Sequence, residues 1–126
     1  MENYTTGIQH VGIPTKDMTK SVDFYTKLGF AKAWETVFNG DKVVFMRLKN
    51  LCMEIYEYKD AAGKPGAIDH VAIDVTDVEA VYAKICSMQL NTMNDEIHFL
   101  PFWQNGVKFF TIQGPNAEKV EFSQFL

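Results

Sequence analysis

Ile8-Gln9-His10-Val11-Gly12-Ile13 recurs further along the chain as Ile68-Asp69-His70-Val71-Ala72-Ile73. An aspartate follows each copy at the same distance, Asp17 in the first and Asp77 in the second. A helical run of related content comes next. It reads Phe24-Tyr25-Thr26-Lys27-Leu28 in one copy and Val81-Tyr82-Ala83-Lys84-Ile85 in the other. Each half then closes on a glutamate set in an apolar strand, Met53-Glu54-Ile55 and Val120-Glu121-Phe122. Self-similarity of this kind marks a duplicated module of about 60 residues.

Periodicity supplies the elements inside each module. Ile8 to Thr15 is rich in β-branched residues and reads as a strand. Asp17 is placed to cap a helix, because its carboxylate can accept from the first free amides. Val22, Tyr25 and Leu28 supply a buried stripe at helical spacing, and Gly29 stops the helix. Strands are expected at Ala31 to Phe38, Val43 to Lys49 and Cys52 to Tyr58, with Asn39-Gly40-Asp41 as a hairpin turn. Asp60 to Ala67, with two glycines and a proline, reads as a linker. The second module reads as a strand over Ile68 to Val75, a helix over Val78 to Met88, and strands near Glu96 to Phe102, Val107 to Ile112 and Lys119 to Phe125. The order is βαβββ twice. This is an α+β fold with one domain over 1–126: modules at about 7–59 and 68–126, a cupped mixed sheet, and helices on the outer face.

Composition bounds the function. The chain has 126 residues, a net charge of −4 and 47% hydrophobic residues, enough for an ordinary core. No basic cluster is present to follow a phosphate backbone, so neither nucleic acid nor a polybasic membrane anchor is expected. Met1 to Thr6 has neither the basic start nor the apolar stretch of a signal peptide, and no apolar run is long enough to span a bilayer. Cys52 and Cys86 form no Cys-x-x-Cys pair and read as two buried thiols of a cytoplasmic protein.

Alternation along the strands isolates four residues. Where Val11 and Ile13 pack inward, His10 points the other way, with small Gly12 beside it. By the same rule Glu54, His70 and Glu121 oppose apolar neighbours, and small Ala72 accompanies His70. One histidine in a strand is usually an ordinary hydrogen-bonded residue, and one glutamate usually marks a solvated sheet face. A His-strand followed by a Glu-strand, in both halves, points instead to a metal site. Two imidazoles and two carboxylates suit a borderline divalent ion: nickel, zinc, cobalt, iron or manganese. Four protein ligands would close a tetrahedral zinc site, whereas an octahedral ion keeps two positions for water or substrate oxygens.

At these residues the chain resembles the vicinal oxygen chelate superfamily, the glyoxalase, bleomycin resistance and extradiol dioxygenase group. The resemblance spans nearly the whole chain. It rests on His10-Val11-Gly12-Ile13 with Asp17 and Asp23-Phe24-Tyr25, on Glu54, on His70-Val71-Ala72-Ile73, and on Gly114-Pro115-Asn116 before Val120-Glu121-Phe122. Within that group the ligand set is most similar to glyoxalase I, lactoylglutathione lyase. That resemblance implies that His10, Glu54, His70 and Glu121 bind nickel or zinc. It implies isomerisation of a hemithioacetal through a metal-stabilised enediolate, with Glu121 as first choice for the base and Glu54 as second. Pro14 and Tyr58 stand where bacterial glyoxalase I has an arginine and an asparagine, and neither replaces the charged or amide contact. This speaks against glutathione as the thiol.

Cys52 and Tyr56 flank Glu54 on its face and are expected near the pocket. Phe99, Phe102 and Trp103 read either as an apolar lid over a small substrate or as packing at a dimer interface, and His98 as a surface histidine. The resemblance also implies a homodimer. The rival reading is a metal-free binding protein of the bleomycin-resistance type, against which the four ligands count. An acyl-coenzyme A epimerase of the same fold is a further alternative, although the epimerases have a glutamine where Glu54 stands. Extradiol dioxygenases and fosfomycin-modifying enzymes use three protein ligands, which would leave one of the four spare.

Overall fold

A computed structural model describes residues 2–4 and 6–126. Of the N-terminal stretch read above for a signal peptide, Met1 and Thr5 lie outside the described residues. The chain divides into two compact units, Met1–Ala62 and Gly63–Leu126. Among the described residues each carries four strands and one helix in the expected order, and a 3-10 turn at Glu2–Tyr4 precedes the first unit's strands. Among the described residues no helix is long and apolar enough to cross a membrane.

The first unit comprises β1 (Val11–Thr15), α1 (Met18–Lys27), β2 (Ala31–Phe38), β3 (Asp41–Leu48) and β4 (Leu51–Glu57). Its sheet order is β1-β4-β3-β2. The consecutive strands pair antiparallel, and β1 joins β4 in parallel through Val11↔Met53 to Thr15↔Glu57. Asn39 and Gly40, at φ 50 and 83, make the tight turn between β2 and β3. Positive φ at both central positions is the primed geometry that matches strand twist, and Asn-Gly adopts it at low cost.

Helix α1 starts where Asp17, in extended conformation, accepts from the Lys20 amide at 3.0 Å. Its buried residues are Met18, Ser21, Phe24 and Tyr25. The expected stripe is therefore corrected: Tyr25 is fully buried, but Val22 and Leu28 are only half-buried. Polar Ser21 is tolerated inside because its hydroxyl meets that of Thr15 at 2.9 Å. The helix packs on β3 and β4, over a core that includes Tyr25, Met46 and Ile55, all at 0% exposure.

The second unit comprises β5 (His70–Asp74), α2 (Val78–Ser87), β6 (His98–Leu100), β7 (Val107–Gln113) and β8 (Lys119–Phe125). Its sheet order, β5-β8-β7-β6, repeats that of the first. Asp77 caps α2 by accepting from the Ala80 amide at 2.9 Å. Phe110, Ile112, Val120 and Phe122 form the buried face under the helix.

Several boundaries differ from expectation. β1 begins at Val11 rather than Ile8, and β5 at His70 rather than Ile68. In each case the parallel partner is itself just beginning, β4 at Leu51 and β8 at Lys119, so the ladder has little to hold earlier residues. β6 shrinks to His98–Leu100. Cys52 is buried as expected, whereas Cys86 is exposed.

Candidate functional site

The parallel ladder places the candidate ligands in matching positions of the two units. Gly12 lies opposite Glu54 on β4, and Ala72 opposite Glu121 on β8. Each histidine stands two residues before that small residue, so its ring reaches diagonally across the ladder to the glutamate. In the first unit His10 Nε2 lies 2.9 Å from Glu54 Oε2. In the second, His70 Nε2 lies 3.5 Å from Glu121 Oε2. The structure thus gathers the four residues as two His–Glu pairs, one per unit. Among the described residues no group of three or more His, Cys, Asp or Glu side chains gathers to hold a metal ion.

The other nitrogen of each ring is also engaged. His10 Nδ1 meets Gln9 Oε1 at 2.8 Å, and His70 Nδ1 meets Asp69 Oδ2 at 2.9 Å. An ionised carboxylate only accepts, so the His70 Nδ1–H must be the donor there. Asp69 is in turn paired with Lys119, Nζ to Oδ1 at 2.9 Å. The His70 hydrogen bond, followed by that of Lys119, holds the Asp69 carboxyl below its ordinary value. Asp69 and Gln9 therefore orient the rings, a role that alternation of faces did not bring out. Their place immediately before each repeated histidine was the available signal.

The remaining residues of the first site fall around Glu54. Phe45, opposite Glu54 on β3, stands edge-on to the His10 ring at 5.7 Å. Tyr56 lies on the same strand face, with its ring edge 3.6 Å from where a Cβ on Gly12 would sit. The space expected beside Gly12 is therefore lined by Tyr56. Cys52, two residues before Glu54, is buried.

In the second unit the sheet face carrying His70 and Glu121 borders a cavity of about 880 Å³. Phe102 and Trp103 line it, together with Phe109 and Phe125. Phe99 does not, since its ring stands where a Cβ on Gly106 would fall. His98 lines the cavity too, and Asp95 Oδ1 holds its Nε2 at 2.7 Å. Burial works to raise the Asp95 carboxyl, but His98 and the Thr111 and Glu96 amides leave it below its ordinary value.

A family model for the Glyoxalase/Bleomycin resistance protein/Dioxygenase superfamily matches residues 7–119. YwbC of Bacillus subtilis (strain 168), an uncharacterized protein, is 29% identical over 126 residues, covering 93% of this chain and 96% of its own. A solved glyoxalase family protein from Enterococcus faecalis superposes with a TM-score of 0.76 at 21% identity, covering 95% of this chain and 98% of that one. FosX of Listeria monocytogenes, a fosfomycin resistance protein solved with Mn(II) and sulfate, superposes with a TM-score of 0.71 at 13% identity, covering 97% and 94%. At these identities the likeness to the two solved structures is one of fold.

Proposed function

The chain belongs to the Glyoxalase/Bleomycin resistance protein/Dioxygenase superfamily, and from that premise we propose a metal-dependent lyase or isomerase. It would move a proton on a small substrate with adjacent oxygens, in the manner of glyoxalase I. The observation that carries this reading is the repeated ligand geometry. Each imidazole gives Nδ1 to a neighbouring acceptor and turns Nε2 toward a carboxylate. Metal-binding histidines are held through the outer nitrogen in this way, bonded to a carboxylate or carbonyl, while the inner nitrogen faces the other ligands. The residues present therefore fit a divalent ion. His10, Glu54, His70 and Glu121 would hold it, with nickel or zinc first and cobalt, manganese or iron also suited to the donors. FosX, a member of the same fold, is solved with Mn(II).

A bound divalent ion supplies Lewis acidity that stabilises negative charge on two adjacent substrate oxygens. The chain's own part is proton transfer and placement. Glu121 lines the cavity of the second unit and is the base: a carboxylate oxygen takes the carbon-bound proton and returns it to the neighbouring carbon. Glu54 is the symmetric second candidate. Asp69 and Gln9 fix the two rings. Pro14 and Tyr58 offer no clamp for glutathione, so another thiol, or a substrate needing none, is the better match.

Metal content tests the reading, with His10→Ala/His70→Ala as control. About one divalent ion per chain, lost in the double variant, is expected; no metal after reconstitution would overturn it in favour of a metal-free binding protein. Glu121→Gln should keep most of the metal and lose about 10²–10⁴-fold in proton transfer on methylglyoxal–thiol adducts. Unchanged turnover would remove Glu121 as the base.

A further inference from the structure

The second-unit cavity is larger than a three-carbon substrate needs. Its volume of about 880 Å³ lies in the upper part of the range for drug-sized ligands, roughly 300–1,000 Å³. Its two ends also differ in chemistry. Along β8 the face carries Lys119, Glu121, Ser123 and Phe125 in turn, and alternate residues lie about 7 Å apart. The ionic end at His70 and Glu121 therefore gives way, about 14 Å along the strand, to an aromatic end at Phe125.

Three aromatic side chains at that end are exposed, Phe102 at 55%, Trp103 at 78% and Phe125 at 59%. Exposed apolar residues gathered at a cavity mark a binding surface more often than scattered ones do. Trp103 is held in the left-handed region at φ 60, with its ring edge-on to Phe125 at 5.6 Å. Bulky residues rarely adopt that backbone, and such strain concentrates where a side chain must be aimed. Between the two ends Phe109 and His98 face each other at 5.3 Å and 37°. The Asp95 carboxylate fixes the imidazole at 2.7 Å, so the floor there is aromatic as well.

We propose that this cavity takes a substrate whose adjacent oxygens are joined, through an extended linker, to a planar apolar ring seated against Phe102, Trp103 and Phe125. The inference rests on the proposed function only for which end of the substrate reacts. Calorimetric titration of the full chain, nickel-loaded and freed of excess nickel, tests it with three probes. 6-Phenylhexanohydroxamate has the oxygen pair and a ring at the far end of a six-carbon chain, hexanohydroxamate the oxygen pair and chain alone, and 6-phenylhexanamide the chain and ring without the pair. 6-Phenylhexanohydroxamate should bind about tenfold tighter than hexanohydroxamate, the scale expected for burying a ring. In Phe102→Ala/Trp103→Ala, whose exposed side chains can be cut without opening the core, that preference should fall to about twofold or less.

Equal, tight binding of both hydroxamates would overturn the ring subsite and leave the metal reading standing. A ring preference that survives the double variant would overturn it too, because the ring would then sit elsewhere. 6-Phenylhexanamide binding as tightly as 6-phenylhexanohydroxamate, with the preference still lost in the variant, would keep the ring subsite and overturn the metal reading. Binding of none of the three would overturn the ring subsite.

Discussion

The two units build the same His–Glu pair with different support. In the first, the outer nitrogen of His10 meets the neutral amide of Gln9, and Nε2 closes on Glu54 at 2.9 Å. In the second, the outer nitrogen of His70 meets the carboxylate of Asp69, which Lys119 holds from its other side, and Glu121 stands at 3.5 Å. A charged acceptor makes a stronger hydrogen bond than a neutral one and raises the basicity of the ring it holds. Glu121 is also the more enclosed glutamate, with 17% side-chain exposure against 28% for Glu54. Duplication thus produced two pairs of like geometry and unlike electrostatics. The second pair is the better oriented, and it is the one beside the cavity.

The sharpest way to break this comparison is to remove the outer acceptors one at a time. Asp69→Asn should weaken metal binding by about 10–100-fold, the range for losing a carboxylate behind a ligating histidine. Gln9→Ala should cost less, because the lost bond is neutral. Competition with a chromophoric chelator measures both. Equal losses would mean that the charge of Asp69 and its Lys119 partner contribute nothing to the site.

A second contrast lies at the sheet edges. β3 pairs with β2 from Phe38↔Asp41 to Ala31↔Arg47, whereas β7 has β6 beside it only from Leu100↔Val107 to His98↔Phe109. The Thr111 amide, beyond that short ladder, donates instead to Asp95 Oδ2 at 2.8 Å. Asp95 has 21% side-chain exposure, and a hydrogen-bonded carboxylate so placed contributes about 2 kcal/mol. Asp95→Ala should therefore destabilise the protein by about 2 kcal/mol at neutral pH in denaturant unfolding. The sign with pH follows from the lowered carboxyl. Its contribution is complete above the ordinary value of 3.8 and is lost as the pH falls through the lower folded value. The gap between wild type and variant should shrink below that range; a gap that widened on acidification would contradict the assignment.

Sequence reading reached the Asp17 cap, the Asn39-Gly40 turn and the strand faces of Glu54 and Glu121 because each depends on local or period-two rules. Asp17 and Asp77 cap wherever a strand feeds a helix, and a Glu between apolar residues takes the opposite face in any register. The outer acceptors escaped for the same reason. Adjacent strand residues point to opposite faces, which argued Gln9 and Asp69 away from their histidines. His10 stands just before its ladder and His70 at the first pair of its own, so the preceding residue in each case is free of that alternation. The stripe of α1 was misread because the buried Thr15–Ser21 hydrogen bond turns a polar residue inward. No periodicity argument anticipates such a bond. The reach of Asp95 to Thr111 depends on how short β6 becomes, which only the paired strands reveal.

The smallest expected effect tests the residue that differs at the centre of each ladder, Gly12 in one unit and Ala72 in the other. Small residues there read, in sequence, as openings for a ligand. In the first unit a Cβ on Gly12 would meet only the Tyr56 ring edge, at an ordinary 3.6 Å, and Gly12 is not among the glycines of positive φ. Nothing in the backbone or in the space beside it requires glycine. Gly12→Ala gives the first unit the second unit's residue and removes the entropy that a strand glycine loses on folding. It should stabilise the protein by about 0.5 kcal/mol, with metal content unchanged. A stabilised protein that had lost its metal would show that the first ladder needs the opening that the second does without, and the two units would then hold the ion by different means.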